Sequence, residues 1–389
     1  MNYRKIALVT ATRAEYGLLA PVIRNLRKRE NSNFIVEFIV CGTHLSPEYG
    51  MTIDEISADG LRIDHRINTP VESSSAFDIS NNQAKVIMRF AEHFERIHYD
   101  AVILLGDRYE LLSIAIAACN AKIPIFHLYG GDTSEGAIDE YIRHAITKMS
   151  YLHFVSNEVS KKRVIQLGET PERVFNYGST SIDNIKKIHL LSKREILNEL
   201  NIDDCNYAVG TYHPVTLTDD SIDECINDLI DAVCSFPDIL FIMTGSNADN
   251  GGARINKLLT EAEKNVDNLR FHTSLGTFRY LSLLKHAEFV IGNSSSGIIE
   301  APAVYIPTVN IGDRQKGRLQ SESIINCGSS SSEIVEAIKT VMSSGHKAIC
   351  RNIVSPYGDG HAGERIADKI YETVIENNIE LRKSFYDIK

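Results

Sequence analysis

Two aspartates in this sequence are placed for general acid/base chemistry. Asp107 stands in Gly106-Asp107-Arg108-Tyr109-Glu110, directly after the apolar run Ala101–Leu105. Asp139 opens Asp139-Glu140-Tyr141-Ile142-Arg143-His144, beyond the glycine-rich loop Tyr129-Gly130-Gly131-Asp132-Thr133-Ser134-Glu135-Gly136. Capping of the following helix would account for Asp107 alone, but not for the glycine before it and the arginine after it. Glycines let backbone come close to a ligand, so the two carboxylates are expected to approach one cleft from different loops, as proton transfer requires. Glu140 reads equally well as a solvated helix residue. His213, in Thr211-Tyr212-His213-Pro214, ends another strand-like run and is expected to face the same cleft.

A second set of residues suits an anion. Arg13, in Thr10-Ala11-Thr12-Arg13-Ala14-Glu15-Tyr16-Gly17, sits where a strand gives way to a helix, joining a fixed cation to free N–H donors. Gly292-Asn293-Ser294-Ser295-Ser296-Gly297-Ile298-Ile299-Glu300 places small hydroxyl residues at a helix N-terminus, a donor-rich cradle for a diphosphate. Glu300, about one turn further on, can accept both hydroxyls of a ribose. Arg314, in Gly312-Asp313-Arg314-Gln315-Lys316-Gly317-Arg318, adds positive charge, and Asn247 in Gly245-Ser246-Asn247 offers an amide to a base or sugar edge. A serine run alone is a weak signal. Its position just after a strand is what gives it weight. No GxGxxG fingerprint of dinucleotide binding occurs.

The elements that must position these groups alternate along the chain. Short β-branched runs such as Ile6–Thr10, Ile35–Cys41, Ala101–Leu105 and Ile123–Leu128 are separated by amphipathic stretches such as Leu18–Lys28, Asn82–Ile97 and Leu111–Ala121. That order implies parallel sheets covered on both faces. The pattern restarts at Tyr207–Thr211, after a polar stretch from Gly178 to Arg194 that reads as a linker, with a boundary near 185. The expectation is an α/β protein of two doubly wound, Rossmann-like domains, with ligands at the carboxyl ends of the strands. A length of 389 residues, 43% hydrophobic and 24% charged, fits two such domains. A formal net charge of −10 argues against nucleic acid or an anionic membrane surface as partner. Seven scattered cysteines without a CxxC pair, no metal-ligand constellation and no signal-peptide core point to a reduced, cytoplasmic protein.

Taken in order, these motifs resemble those of the hydrolysing UDP-N-acetylglucosamine 2-epimerases of sialic-acid pathways. The resemblance covers nearly the whole chain: Thr12-Arg13-Ala14-Glu15-Tyr16, Gly106-Asp107-Arg108, Asp139 with Ile142-Arg143-His144, His213-Pro214, Gly292-Asn293-Ser294-Ser295, Glu300 and Arg314. It implies a GT-B type fold with the active site in a central cleft. The implied divisions are an N-terminal domain over 1–185, a UDP-binding domain over 186–365, and a helix in 366–389 that returns to the first domain. It also implies a homo-oligomer, dimer or tetramer. By motif, Arg13, Gly17, His44, Arg108, His213, Asn247, Ser294, Ser295, Glu300 and Arg314 fall at nucleotide or substrate positions, and Asp107 and Asp139 at catalytic carboxylates.

The implied reaction needs no cofactor. UDP leaves anti to the C2 proton, giving 2-acetamidoglucal, and water then adds to yield N-acetylmannosamine; His213 and the arginines stabilise the departing diphosphate. One departure is Tyr129, where many relatives carry a third carboxylate; either a loop group such as Asp132 substitutes, or Asp107 and Asp139 suffice. Tyr129 would also make the sugar pocket more apolar, which favours a nucleotide-linked 2,4-diacetamido-2,4,6-trideoxyglucose as the alternative substrate. A GT-B glycosyltransferase is the alternative of another class.

Overall fold

A computed structural model of the chain describes residues 3–71, 75–134, 138–187, 189–214, 221–246, 251–376 and 379–388. The chain divides into two units, residues 1–184 with 360–389, and residues 185–359.

The first unit is built on β1 (Arg4–Thr10), β2 (Phe34–Cys41), β3 (His65–Ile67), β4 (Ala101–Leu105), β5 (Ile125–Leu128), β6 (Leu152–Val155) and β7 (Val174–Asn176). Its helices are α1 (Arg13–Arg27), α2 (Ile53–Ala58), α3 (Ala76–Arg96), α4 (Tyr109–Asn120), α5 (Asp139–Met149), α6 (Glu158–Gln166) and α7 (Thr180–Lys187), the last of which runs across the division. The strands form one parallel sheet in the order β3-β2-β1-β4-β5-β6-β7. Residues of β1 alternate between two apolar layers: Ile6 and Leu8 join Leu19, Ile23 and Leu26 of α1, while Ala7 and Val9 join Val86 and Phe90 of α3 and Leu111 and Ile114 of α4. Burial on both faces explains why the strands read as continuous apolar runs.

The second unit contains β8 (Tyr207–Thr211), β9 (Leu240–Thr244), β10 (Leu269–His272), β11 (Val290–Gly292), β12 (Thr308–Ile311) and β13 (Ile324–Cys327). Its helices are α8 (Lys193–Glu199), α9 (Ile222–Cys234), α10 (Gly252–Ala262), α11 (Gly276–His286), α12 (Ser295–Ala303), α13 (Ser331–Met342) and α14 (Ser344–Arg351). This sheet is also parallel, in the order β10-β9-β8-β11-β12-β13.

The chain then re-enters the first unit as α15 (Ala362–Glu376). Ile366, Ala367, Ile370 and Val374 of α15 lie in the same apolar layer as α1. The buried carboxylate of Asp183, on α7, accepts the N–H groups of Ala362 (2.9 Å) and Gly363 (2.8 Å), two of the donors that a helix start leaves unpaired. Further on, Lys383 pairs with buried Glu169 and Tyr386 donates its N–H to Gly168 O.

Two elements differ from the sequence reading. The segment Gly178–Arg194 contains α7, with Thr180, Ser181 and Asp183 buried, rather than being linker throughout. The short edge strand β3 has no apolar run to announce it. No described helix is long and apolar enough to cross a membrane.

Candidate active site

Strand order reverses at β1/β4 in the first sheet and at β8/β11 in the second, and loops leaving neighbouring strands diverge at such points to open a crevice. Arg13 and Glu15 follow β1, Asp107 and Arg108 follow β4, His213 follows β8, and Ser294 and Ser295 follow β11. These candidate residues therefore collect at the switch point of each sheet, while Asp139 follows β5 and Arg314 follows β12.

In the first unit Arg143, on α5 one turn after Asp139, is the organising cation. Only 3% exposed, it donates to Asp132 O (2.7 Å), Glu140 Oε2 (3.0 Å), Ser134 Oγ (2.6 Å) and Asp107 Oδ2. Asp107 and Asp139 are thereby tied to one framework, Asp107 through the ion pair and Asp139 through the helix that carries Arg143. Burial would raise the Glu140 carboxyl, but the Ser134 N–H (2.6 Å), His144 and Arg143 outweigh it and hold it below the usual range. Glu140 is thus an anchor for Arg143, not a solvated helix residue.

Arg108 is the N-cap residue of α4, half exposed, and lies within electrostatic reach of Glu110, Glu15 and Asp139. Burial works against its charge, but these carboxylates together favour the charged form. Arg13 opens α1 and pairs with Glu55 of α2 at 3.1 Å, both side chains remaining substantially exposed. Gly17 lies in α1 with open space where a side chain would begin, and its carbonyl accepts the Asn184 amide at 2.8 Å.

In the second unit the hub is Asn293. Its side chain accepts the His213 N–H (2.6 Å) and donates to His213 O (2.8 Å), while its own carbonyl accepts from Arg314 (3.1 Å) and Gln315 (2.8 Å). Gly292, at φ +125°, leaves no room for a Cβ against Thr211 O, so this junction between β11 and β8 requires glycine. His213 is 7% exposed, with Nδ1 3.2 Å from Ser246 Oγ; burial, then Arg314, push its pKa down to about 4, so it is neutral at pH 7. Ser294 caps α12 by accepting the Ser296 N–H at 3.4 Å, and Ser295 is the first residue of that helix, which also carries Glu300. A cavity of about 750 Å³ opens beside these groups, lined by Tyr212, Pro214, Asp313, Lys316 and Arg318. Asn247 lies outside the described residues.

The family follows from the residues matched. A family model described as UDP-N-acetylglucosamine 2-epimerase matches residues 26–371. The chain belongs to the UDP-N-acetylglucosamine 2-epimerase family. Among relatives, it is 40% identical to the GDP/UDP-N,N'-diacetylbacillosamine 2-epimerase (hydrolyzing) of Campylobacter jejuni, over 84% of this chain and 85% of that one. It is 37% identical to polysialic acid biosynthesis protein P7 of Escherichia coli, over 99% and 98% of the respective chains. The fold matches that of a putative UDP-N-acetylglucosamine 2-epimerase from Listeria monocytogenes, with a TM-score of 0.82, 16% identity and full coverage of both chains. The fold class is α/β of the GT-B type found in these epimerases.

Within that family frame, three sequence readings acquire a different physical content. Tyr129 does not offer its hydroxyl to a sugar: the phenol lies 2.9 Å from both Ser179 Oγ and Thr180 Oγ1 and accepts the Thr180 N–H at 2.8 Å. Asp132, the candidate substitute base, has Oδ1 engaged by the hydroxyls of Ser156 and Ser160 and the Asn157 amide, at the start of α6. The close approach that Gly131 permits is to the Ser160 carbonyl, not to a ligand. His44 is fully buried, with Nε2 3.0 Å from Thr10 Oγ1 and Nδ1 2.8 Å from Thr52 Oγ1, so both ring nitrogens are occupied within the unit. Conversely, residue type and spacing assign no role to Arg143, Asn293, Ser246 or Gln315. Arg143 and Asn293 stand inside the family motifs, which was the available signal; nothing marks Gln315 beyond its place next to Arg314.

Proposed function

We propose that the protein is a hydrolysing 2-epimerase that converts UDP-N-acetylglucosamine to UDP and N-acetylmannosamine. The observation that supports this is the Asp107–Arg143 ion pair, which joins the loop after β4 to the helix that begins at Asp139. One carboxylate takes the C2 proton as the C1–O bond to UDP breaks, leaving 2-acetamidoglucal. Water then adds at C1 while a proton returns to the opposite face of C2. In the second unit Arg314, His213 and the N-terminus of α12 receive the charge that develops on the diphosphate. A neutral His213 can donate one hydrogen bond to a phosphate oxygen without first losing a proton.

A second reading, that the sugar is a nucleotide-linked 2,4-diacetamido-2,4,6-trideoxyglucose, is favoured by the Campylobacter relative's name. The near full-length match to a polysialic acid biosynthesis protein supports the first. Tyr129 no longer bears on the choice, because its hydroxyl is spent inside the unit. Incubation with each sugar in D₂O, followed by proton NMR, tests both readings. The expected product is free N-acetylmannosamine carrying deuterium at C2. Release of UDP only with an added acceptor would instead make the protein a glycosyltransferase, and a preference above about a hundredfold in kcat/KM for the trideoxy sugar would establish the second reading.

A further inference from the structure

We propose that His127 is a positioning residue: its ring ties the peptide before Asp107 to α5 and so fixes where the Asp107 carboxylate points. The functional consequence rests on the reading of Asp107 as one of the acid/base pair. His127, on β5, is fully buried. Its Nε2 lies 2.8 Å from Gly106 O, and its Nδ1 lies 3.2 Å from the hydroxyl of Thr147, which is buried as well. Gly106 O can only accept, so Nε2 carries the ring proton. Burial, with His153, Arg143 and His144 nearby, outweighs the pull of the Gly106 carbonyl and pushes the ring's pKa down to about 3. The ring is therefore neutral at pH 7, and Nδ1 accepts from Thr147 Oγ1. The same hydroxyl lies 3.0 Å from Arg143 O, an acceptor that the helix already supplies with a backbone N–H. Gly130 passes so close to this pair that a Cβ there would stand 2.8 Å from Thr147 Oγ1 and 3.1 Å from His127 Nδ1. The first glycine of the glycine-rich loop thus makes room for the imidazole bridge.

Asp107 needs such a support on its backbone side. Gly106 has a φ of +92° and open space where a Cβ would begin, so no side chain of its own packs to hold that joint. Arg143 pairs with one carboxylate oxygen of Asp107 and restrains the far end of the residue. His127 restrains the near end, through a carbonyl whose peptide plane includes the Asp107 nitrogen. Both restraints run to one helix, because Asp139, Arg143 and Thr147 follow at four-residue spacing along one side of α5. The bridge therefore holds the Asp107 carboxylate at a set position relative to the helix that begins at Asp139. Catalysis is steep in such geometry, and a shift of about 1 Å can cost about 10²-fold. His127 itself takes no proton in the reaction, since its one ring lone pair is engaged by Thr147.

Rates and spectra together test this. His127→Phe keeps a ring in place and leaves Gly106 O without its donor. On whichever sugar nucleotide the wild type turns over, kcat should fall about 10²-fold, with KM and the UDP affinity from calorimetry within about threefold. His127→Gln, whose amide can reach the same carbonyl, should recover kcat to within about tenfold of wild type. A merely structural role would lower the thermal midpoint of both variants and leave kcat of the folded protein alone. A folded His127→Phe within about threefold of the wild-type kcat overturns the proposal, and so does a Gln variant no faster than the Phe one. If the Phe variant does not fold, Thr147→Val, which preserves shape and frees Nδ1, decides instead. Its kcat should fall about fivefold at unchanged KM, and an unchanged kcat overturns the bridge. In nitrogen-15 NMR of the intact protein the His127 ring should read as a neutral Nε2–H tautomer at pH 7, and the Asp107 amide signal should shift in the Phe or the Val variant. A proton on Nδ1 at pH 7, or an unmoved Asp107 amide, overturns the proposal as well. The spectra need no turnover, so a wild type that releases UDP from neither sugar would sink the epimerase reading while the bridge is still decided.

Discussion

Replacing Tyr129 by Phe removes one oxygen and leaves the ring in place, which makes it a clean measure of what that residue does. Thr180 Oγ1 already donates to Leu18 O at 2.6 Å, so the Tyr129 O–H must be the donor to Thr180 Oγ1. The phenol oxygen in turn accepts the Thr180 N–H at the start of α7. Ser179 and Thr180 are 1% and 0% exposed, so the Phe variant would bury a backbone donor with no acceptor, at about 1–3 kcal/mol, and lose weaker hydroxyl contacts at about 0.5–1.5 kcal/mol each. The sum is about 2–6 kcal/mol. For a folding unit of this size that corresponds to a fall in Tm of about 4–24 °C. Burial pushes the phenol up to about 12, so at neutral pH it is never a base, and kcat/KM should stay within about threefold of wild type once the protein is kept cold enough to remain folded. Thermal melts paired with steady-state rates decide the matter. A melt unchanged to within about 2 °C together with a tenfold loss of kcat/KM would refute the reasoning and return Tyr129 to the sugar.

Arg143→Met should cost about 3–5 kcal/mol in denaturant unfolding, because it strands Asp107 and Glu140 without their shared cation; a loss under about 1 kcal/mol would mean the cluster is far wetter than its burial implies. Asp107→Asn and Asp139→Asn should each lower turnover by ~10²–10⁴-fold with UDP affinity nearly unchanged by calorimetry; near-normal turnover in either variant removes that residue from the acid/base pair. Arg314→Ala should weaken UDP binding by more than ~1.4 kcal/mol, about tenfold, with Asn293 O still held by Gln315; unchanged affinity places Arg314 away from the diphosphate.

Much of this architecture is written in local patterns. Five consecutive apolar residues in β4, set between amphipathic helical stretches, suit a strand covered on both faces, and that alternation implies the parallel sheet and puts Asp107 at a carboxyl end. What is not written locally is pairing across distance. Arg143 meets Asp107 from 36 residues away, and Asp183 meets Gly363 from 180 away, so neither contact leaves a periodic trace. The same limit explains Tyr129, whose partners sit 50 and 51 residues further along. His44 stands out only through the family resemblance, and its enclosure by Thr10 and Thr52 depends on three separate elements converging. Glu15 and Glu110 look like ordinary first-turn acids, a favourable place for negative charge at a helix N-terminus; only packing reveals that each is buried.

The return of α15 to the first unit fixes an order of events during synthesis. The second unit is one unbroken stretch of chain and has everything it needs once residue 359 has left the ribosome. The first unit, although its sheet is translated earlier, must wait with the apolar face of α1 uncovered until Ile366, Ala367, Ile370 and Val374 have been made. Until then Asp183 is a buried-type carboxylate without the two N–H groups that satisfy it. At about 5–20 residues per second, the 175 residues of the second unit keep that face open for roughly ten to thirty seconds. The unit whose sheet is made earlier is therefore completed later, and through that interval the apolar face that α15 covers stays open to other chains.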